Sequence, residues 1–120
     1  MDKPNILIVE DNFLIALDIQ ELLTSAGFHI TDTVASGEEA IKKTLELKPD
    51  LILMDIGLKG SMDGIEAVNR IRDHRNIPVI FLTGNSDQLR RRNIKDPYIS
   101  KPFTTEELQE LINSLLEHSV

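Results

Sequence analysis

Five short apolar runs alternate with five helical stripes along this chain, and no other feature restricts its fold as tightly. The runs are Asn5 to Glu10 (NILIVE), His29 to Val34 (HITDTV), Leu51 to Met54 (LILM), Pro78 to Leu82 (PVIFL) and Tyr98 to Ser100 (YIS). Continuous apolar runs of this length suit strands buried on both faces. HITDTV is more polar and reads as a strand near a sheet edge. Between the runs the period changes. Ile15, Ile19, Leu22, Leu23 and Ala26 mark one face of a first helix, which Gly27 stops. Ser36 with Glu39 forms a capping-box pattern for a second helix, ending at Lys48 before Pro49. Asp63 with Glu66 starts a third, carrying Ile65, Val68 and Ile71. A short fourth helix covers Asp87 to Asn93. Thr104 with Glu107 caps a fifth, striped by Leu108, Leu111, Ile112, Leu115 and Leu116.

Strict strand-helix alternation implies a parallel sheet with helices on both faces. Right-handed crossovers restrict the topology further. The expected fold is α/β and doubly wound: a five-stranded parallel sheet of order 2-1-3-4-5, a flavodoxin-like three-layer sandwich. Ligands of such folds sit at the carboxyl ends of the strands, at the switch point between strands 1 and 3.

The 120 residues fit one domain, 1–120. There is no cysteine, so disulfides and thiolate metal sites are excluded. No basic start leads into an apolar leader, and no segment approaches a membrane span, so the expectation is a soluble cytoplasmic chain with no membrane partner. A net charge of −7 argues against direct nucleic-acid binding. The one basic run, Leu89 to Lys95 with Arg90, Arg91 and Arg92, reads as a solvated helix face. Acidic groups on a partner or a second copy are its natural counterparts otherwise. His29, His74 and His118 show no ligand spacing and read as surface residues.

The strand ends carry the chemistry. The first run ends in Glu10 and Asp11, the third runs into Asp55, the fourth ends at Thr83 and the fifth at Lys101. A buried carboxylate without a partner is costly, and three together raise at least one pKa unless a cation joins them. Mg²⁺ favours oxygen ligands and takes one or two carboxylates directly. The Gly57 carbonyl, in the loop after Asp55, is a further candidate ligand. An oxyanion beside Asp55 would meet a metal, an ammonium and a hydroxyl, which is equipment for phosphoryl transfer. A carboxylate can serve as nucleophile and hold the phosphoryl group as an acyl phosphate.

In order and spacing, ILIVEDN, LILMDI, MDGIEA, VIFLTG and YISKPF resemble the receiver domain of two-component response regulators, over essentially the whole chain. The resemblance implies that Asp55 accepts the phosphoryl group. It implies that Glu10 and Asp11 hold Mg²⁺ with Asp55 and the Gly57 carbonyl, Mn²⁺ being able to take its place. Lys101 would bind phosphoryl oxygens, with Pro102 after a cis bond. Thr83 would be the switch hydroxyl and Tyr98 the switch aromatic. The donor would be a phospho-histidine on a sensor histidine kinase or histidine phosphotransfer protein. Output to an effector domain or a second copy would leave through helix 4, strand 5 and helix 5.

Three departures from the family pattern stand out. The loop after Asp55 reads IGLKGSMDG, with Gly60-Ser61 inserted and no proline near Lys59. The span from Thr83 to Lys101 is short, which compresses the fourth helix. Gly57 and Asn85 occupy the positions two past Asp55 and Thr83, where family side chains tune the phosphoryl lifetime. Other classes fit less well. A Mg²⁺-dependent aspartate-nucleophile phosphatase needs a second Asp where Gly57 stands, and a cap domain. A flavin carrier needs a phosphate cradle where the chain reads EDNF. A degenerate receiver that only binds proteins would not need the full acidic set, Thr83 and Lys101. Taken singly the residues have plainer roles: Asp11 as the cap of the first helix, Tyr98 as a packed edge residue with a wet hydroxyl.

Overall fold

The computed structural model describes residues 4–117. In chain order the elements are β1 Asn5–Val9, α1 Phe13–Ser25, β2 His29–Val34, α2 Gly37–Leu47, β3 Leu51–Asp55, α3 Gly64–Arg72, β4 Val79–Thr83, α4 Asp87–Arg91, β5 Tyr98–Ser100 and α5 Thr105–Glu117. The strands form one parallel sheet in the order β2-β1-β3-β4-β5. Both the α/β class and the strand order match the expectation from sequence.

The continuous apolar runs are explained by what covers each face. Leu7, Val9, Ile52, Met54, Val79 and Phe81 point to one side, against Ala40, Ile65, Val68, Ile71 and Leu89 of α2, α3 and α4. Ile6, Ile8, Leu51, Leu53, Ile80 and Leu82 point to the other, against Ile19, Leu23, Leu108 and Ile112 of α1 and α5. Alternate residues of each central strand therefore feed opposite cores, the period-two geometry of a strand with both faces covered. A fully buried Leu or Ile contributes roughly 1.5–3 kcal/mol, so β1, β3 and β4 hold the sheet centre. Edge strand β2 is the polar one, and its register against β1 shifts between Ile6 and Leu7.

The helix starts follow local chemistry. Ser36 Oγ accepts from the Glu39 N–H at 3.2 Å, and Thr104 Oγ1 from the Glu107 N–H at 3.1 Å. Asp63 Oδ1 accepts from the Glu66 N–H at 2.9 Å. All three caps match the sequence patterns. The first helix differs. Its cap is Asn12, whose Oδ1 accepts from the Ile15 N–H at 3.1 Å, so Asp11 is free of that duty. Leu22, placed on the buried stripe of α1 from sequence, is 38% exposed, and Ala16 takes the buried place instead. Helix α4 is shorter than expected, ending at Arg91 with Arg92 as its C-cap.

Parallel register aligns the strand ends. Val9 stands opposite Met54, Asp55 opposite Leu82, and Thr83 opposite Ser100. The residues that follow each strand thus emerge along one edge of the sheet.

Candidate functional site

Glu10, Asp11 and Asp55 meet at that edge, each offering an oxygen within 4.8 Å of the others. Two turn up in buried surroundings: Glu10 is 3% exposed and Asp55 7%. Glu10 directly follows β1, and its Oε2 accepts from the Asn12 N–H at 3.1 Å. Asp55 is the last residue of β3, and its Oδ1 accepts from the Gly57 N–H at 3.1 Å. Asp11 is held from the β3–α3 loop, where the Lys59 N–H donates to its Oδ2 at 3.0 Å.

Among the described residues, one cation reaches the cluster. Lys101 Nζ lies 3.1 Å from Glu10 Oε1 and 3.5 Å from Asp55 Oδ1. It is delivered by the turn after β5, where the Lys101 N–H donates to the Thr83 carbonyl at 2.8 Å and the Lys101–Pro102 bond is cis. Burial raises the Glu10 pKa above the ordinary value. The neighbouring Asp55 adds to the rise, while the Asn12 N–H and Lys101 oppose it. Burial by itself would lower the Lys101 pKa, but the hydrogen bond to Glu10 and the charges of Asp55 and Glu10 outweigh it, so it is raised. Three carboxylates share a single ammonium, which leaves an excess of negative charge. The donor set, all oxygen and rich in carboxylate, suits a hard divalent cation such as Mg²⁺.

Thr83 is buried at the end of β4, and its hydroxyl is engaged locally. Its Oγ1 accepts from the Asn85 N–H and donates to the Asn85 carbonyl, both at 2.9 Å. Tyr98 on β5 is 47% exposed. Gly57 is exposed, and a Cβ added to it would meet only Asp55 Oδ1, at an ordinary 3.8 Å. Among the described residues, Glu10, Asp11 and Asp55 are the one acidic or histidine group close enough to hold a metal. His29 and His74 are exposed and belong to no such group. His118 lies outside the described residues.

Several contacts had no clear signature in sequence. The Lys59 amide on Asp11 is a backbone donor, which any residue type provides. The arginines of the basic run are not a free cationic face. Arg90 pairs with Asp87, and Arg92 with Asp63, the N-cap of α3. Arg72 grips Asp96 with two nitrogens, at 2.7 and 2.9 Å, and so ties α3 to the segment before β5. Each of these pairs except Arg90–Asp87 spans more than twenty residues, beyond the reach of helical spacing.

Comparison with known proteins converges on one family. A sequence model of the response regulator receiver domain matches residues 6–113. The transcriptional regulatory protein YvrH of Bacillus subtilis is 37% identical over 123 residues, covering 99% of this chain and 52% of that protein. The receiver domain of the sensor histidine kinase PA1611 from Pseudomonas aeruginosa, solved with a magnesium ion coordinated in its active-site cleft, superposes with a TM-score of 0.85. It is 35% identical and covers 97% of this chain and 99% of that one. The signal receiver domain of a modulated diguanylate cyclase from Desulfovibrio desulfuricans gives a TM-score of 0.86 at 33% identity, covering 98% and 96%. The chain spans about half the length of most of the transcriptional regulators it matches. No described helix is long and apolar enough to cross a membrane.

Proposed function

The chain belongs to the response regulator receiver domain family, and on that premise we propose that it is a phosphorylation-controlled switch whose acceptor is Asp55. The observation that carries this reading is Lys101 Nζ set between Glu10 and Asp55, inside a cluster of three carboxylates. A purely structural Asp at a strand end needs a cap or one ion pair. It does not need two further carboxylates and a partly buried ammonium.

The proposed chemistry uses the chain's residues as follows. An Asp55 carboxylate oxygen attacks the phosphorus of a phospho-histidine on a sensor histidine kinase or histidine phosphotransfer protein. The P–N bond breaks, the imidazole leaves with its electron pair, and Asp55 carries an acyl phosphate. Glu10, Asp11, Asp55 and the Gly57 carbonyl would hold Mg²⁺ (or Mn²⁺), which supplies charge neutralisation for the phosphoryl oxygens. Lys101 turns its ammonium from the carboxylates to those oxygens. Thr83 exchanges its bonds to Asn85 for a bond to the phosphoryl group, and Tyr98 moves inward as Thr83 leaves its place. Water later attacks the acyl phosphate, releasing inorganic phosphate and restoring Asp55. The protein is a phosphoacceptor switch, catalysing only its own phosphorylation and dephosphorylation.

Output would leave through α4, β5 and α5 to an effector domain or a second copy. No direct contact with nucleic acid is invoked. The net charge is −7, and two of the three consecutive arginines are already paired within the chain. A cytoplasmic setting accords with a cytoplasmic phosphodonor.

The test is intact mass after exposure to acetyl phosphate, with and without Mg²⁺. One metal-dependent phosphoryl adduct is expected, absent in Asp55→Asn. A folded, Mg²⁺-binding protein that gives no adduct from acetyl phosphate or from any phospho-histidine donor would overturn the reading.

A further inference from the structure

Helix α2 contributes no side chain to the acidic cluster, yet it holds the loop whose backbone reaches it. The β3–α3 loop enters the cluster at two points: the Gly57 N–H on Asp55 Oδ1 and the Lys59 N–H on Asp11 Oδ2. Immediately beyond, the same loop is fixed to the first turn of α2 at two others. Ser61 Oγ donates to Glu38 Oε1 at 2.6 Å. Met62 lies directly over Gly37, so closely that a Cβ on Gly37 would sit 2.5 Å from Met62 Cγ and 2.7 Å from its Sδ. Met62 is only 9% exposed and belongs to the α2–α3 side of the core. Between the two pairs of contacts lies Gly60 at φ +112°, a left-handed conformation that suits glycine and lets the chain turn from the cluster toward α2.

We propose that Gly37, with Met62 and Ser61, is a positioning device for the cation site. The first turn of α2 sets where the inserted Gly60-Ser61 segment rests, and this sets where the Gly57 and Lys59 backbone meets Asp55 and Asp11. These residues touch neither metal nor phosphoryl group and act through the loop. Glu38 supports the arrangement electrostatically: its hydrogen bond from Ser61 is the main reason its carboxyl lies below the ordinary glutamate pKa. The consequence is specific. Lifting Met62 off α2 displaces the loop and weakens Mg²⁺ binding, while the sheet stays intact. This inference rests on the Mg²⁺ reading of the site given above.

The experiment titrates Mg²⁺ alone into the whole chain, by calorimetry and by amide NMR shifts, with thermal melts as control. Gly37→Ala places a methyl where Met62 sits. Its Mg²⁺ affinity is expected to fall about tenfold, the low end for losing outer support of a metal ligand, along with a lower melting temperature, because the methyl overpacks Met62 and approaches Ala67 Cβ to 3.2 Å. Met62→Ala keeps Gly37 but removes the side chain that rests on it, and is likewise expected to weaken Mg²⁺ binding. Equal affinity of Gly37→Ala and the native protein would overturn the proposal, because Met62 would then have turned aside without moving the loop. A Met62→Ala protein that binds Mg²⁺ as tightly as the native one would overturn it too. Should Gly37→Ala fail to fold, Ser61→Ala decides the question: weaker Mg²⁺ binding supports the device, and unchanged binding refutes it. A native protein that binds no Mg²⁺ at all would instead remove the metal reading itself.

Discussion

Asp63 does two jobs, and its replacement separates them. Its Oδ1 caps α3 through the Glu66 N–H at 2.9 Å, and its Oδ2 pairs with Arg92 at the end of α4. Loss of a cap costs about 1 kcal/mol. The ion pair is partly exposed, with side chains 37% and 42% accessible, so it adds only about 0–1 kcal/mol. Asp63→Ala should therefore lose about 1–2 kcal/mol, or roughly 4–10 °C in melting temperature for a chain of this size. Asp63→Asn keeps a capping oxygen and loses only the charge, so it should fall near the native value, about 0.5 kcal/mol below it. Arg92→Ala should match Asp63→Asn. The Asp63 pKa is lowered. Burial would raise it, but the Glu66 N–H and Arg92 together outweigh burial. A depressed folded-state pKa stabilises the fold above the unfolded value, and that contribution is lost as pH falls through the folded value. Urea denaturation of native and Asp63→Asn proteins should show a constant gap from neutral pH down to the ordinary aspartate range, closing below it. A gap that widens in acid, or an Asp63→Asn protein as unstable as Asp63→Ala, would refute this division of labour.

Further outcomes follow from the site and its frame. Lys101→Met leaves three carboxylates without their cation, and labelling by acetyl phosphate should fall at least about tenfold while Mg²⁺ binding persists; intact mass over time measures it. Gly57→Asn adds a side chain beside Asp55 where the structure has room, and the phosphoryl half-life should differ from native; equal half-lives would show that the position does not govern lifetime. Tyr98 is the only tyrosine, and there is no tryptophan. Its emission should be quenched by acrylamide before phosphorylation and protected afterwards, and unchanged quenching would count against its inward movement. Gly64→Ala puts a Cβ 2.2 Å from the Asp55 carbonyl oxygen and 2.9 Å from Met54 Cγ, so the end of β3 must shift. A loss of about 1–3 kcal/mol is expected from overpacking, together with weaker Mg²⁺ binding, read by urea melts and calorimetry.

Much of this was legible in the chain itself, because the signals are local or periodic. Ser36–Glu39, Asp63–Glu66 and Thr104–Glu107 cap their helices because each hydrogen bond spans three residues, a distance the sequence shows directly. Apolar runs at β1, β3 and β4 required a sheet covered on both sides, and parallel strands with right-handed crossovers then admitted few orders. That order made Glu10, Asp11, Asp55 and Lys101 neighbours although they span ninety residues. The structure brings all four together. The cap of α1 was less legible, because Asp11 and Asn12 are adjacent and both favour the role. A tertiary contact separates them: the Lys59 amide engages Asp11, and Asn12 meets the Ile15 N–H.

The sequence alone determined the α/β class, the strand order, the three capped helices and the set of polar residues at the strand ends. It could do so because hydrophobic period and capping depend on near neighbours. Only the tertiary structure decided how the loops meet. Ser61 on Glu38, Met62 over Gly37, Arg92 on Asp63 and Arg72 on Asp96 join elements that neither period nor spacing relates. Their geometry is set by how α2, α3 and α4 pack on the sheet. An inserted Gly60-Ser61 can be read from the chain, but where it comes to rest depends on the surface that α2 presents to it.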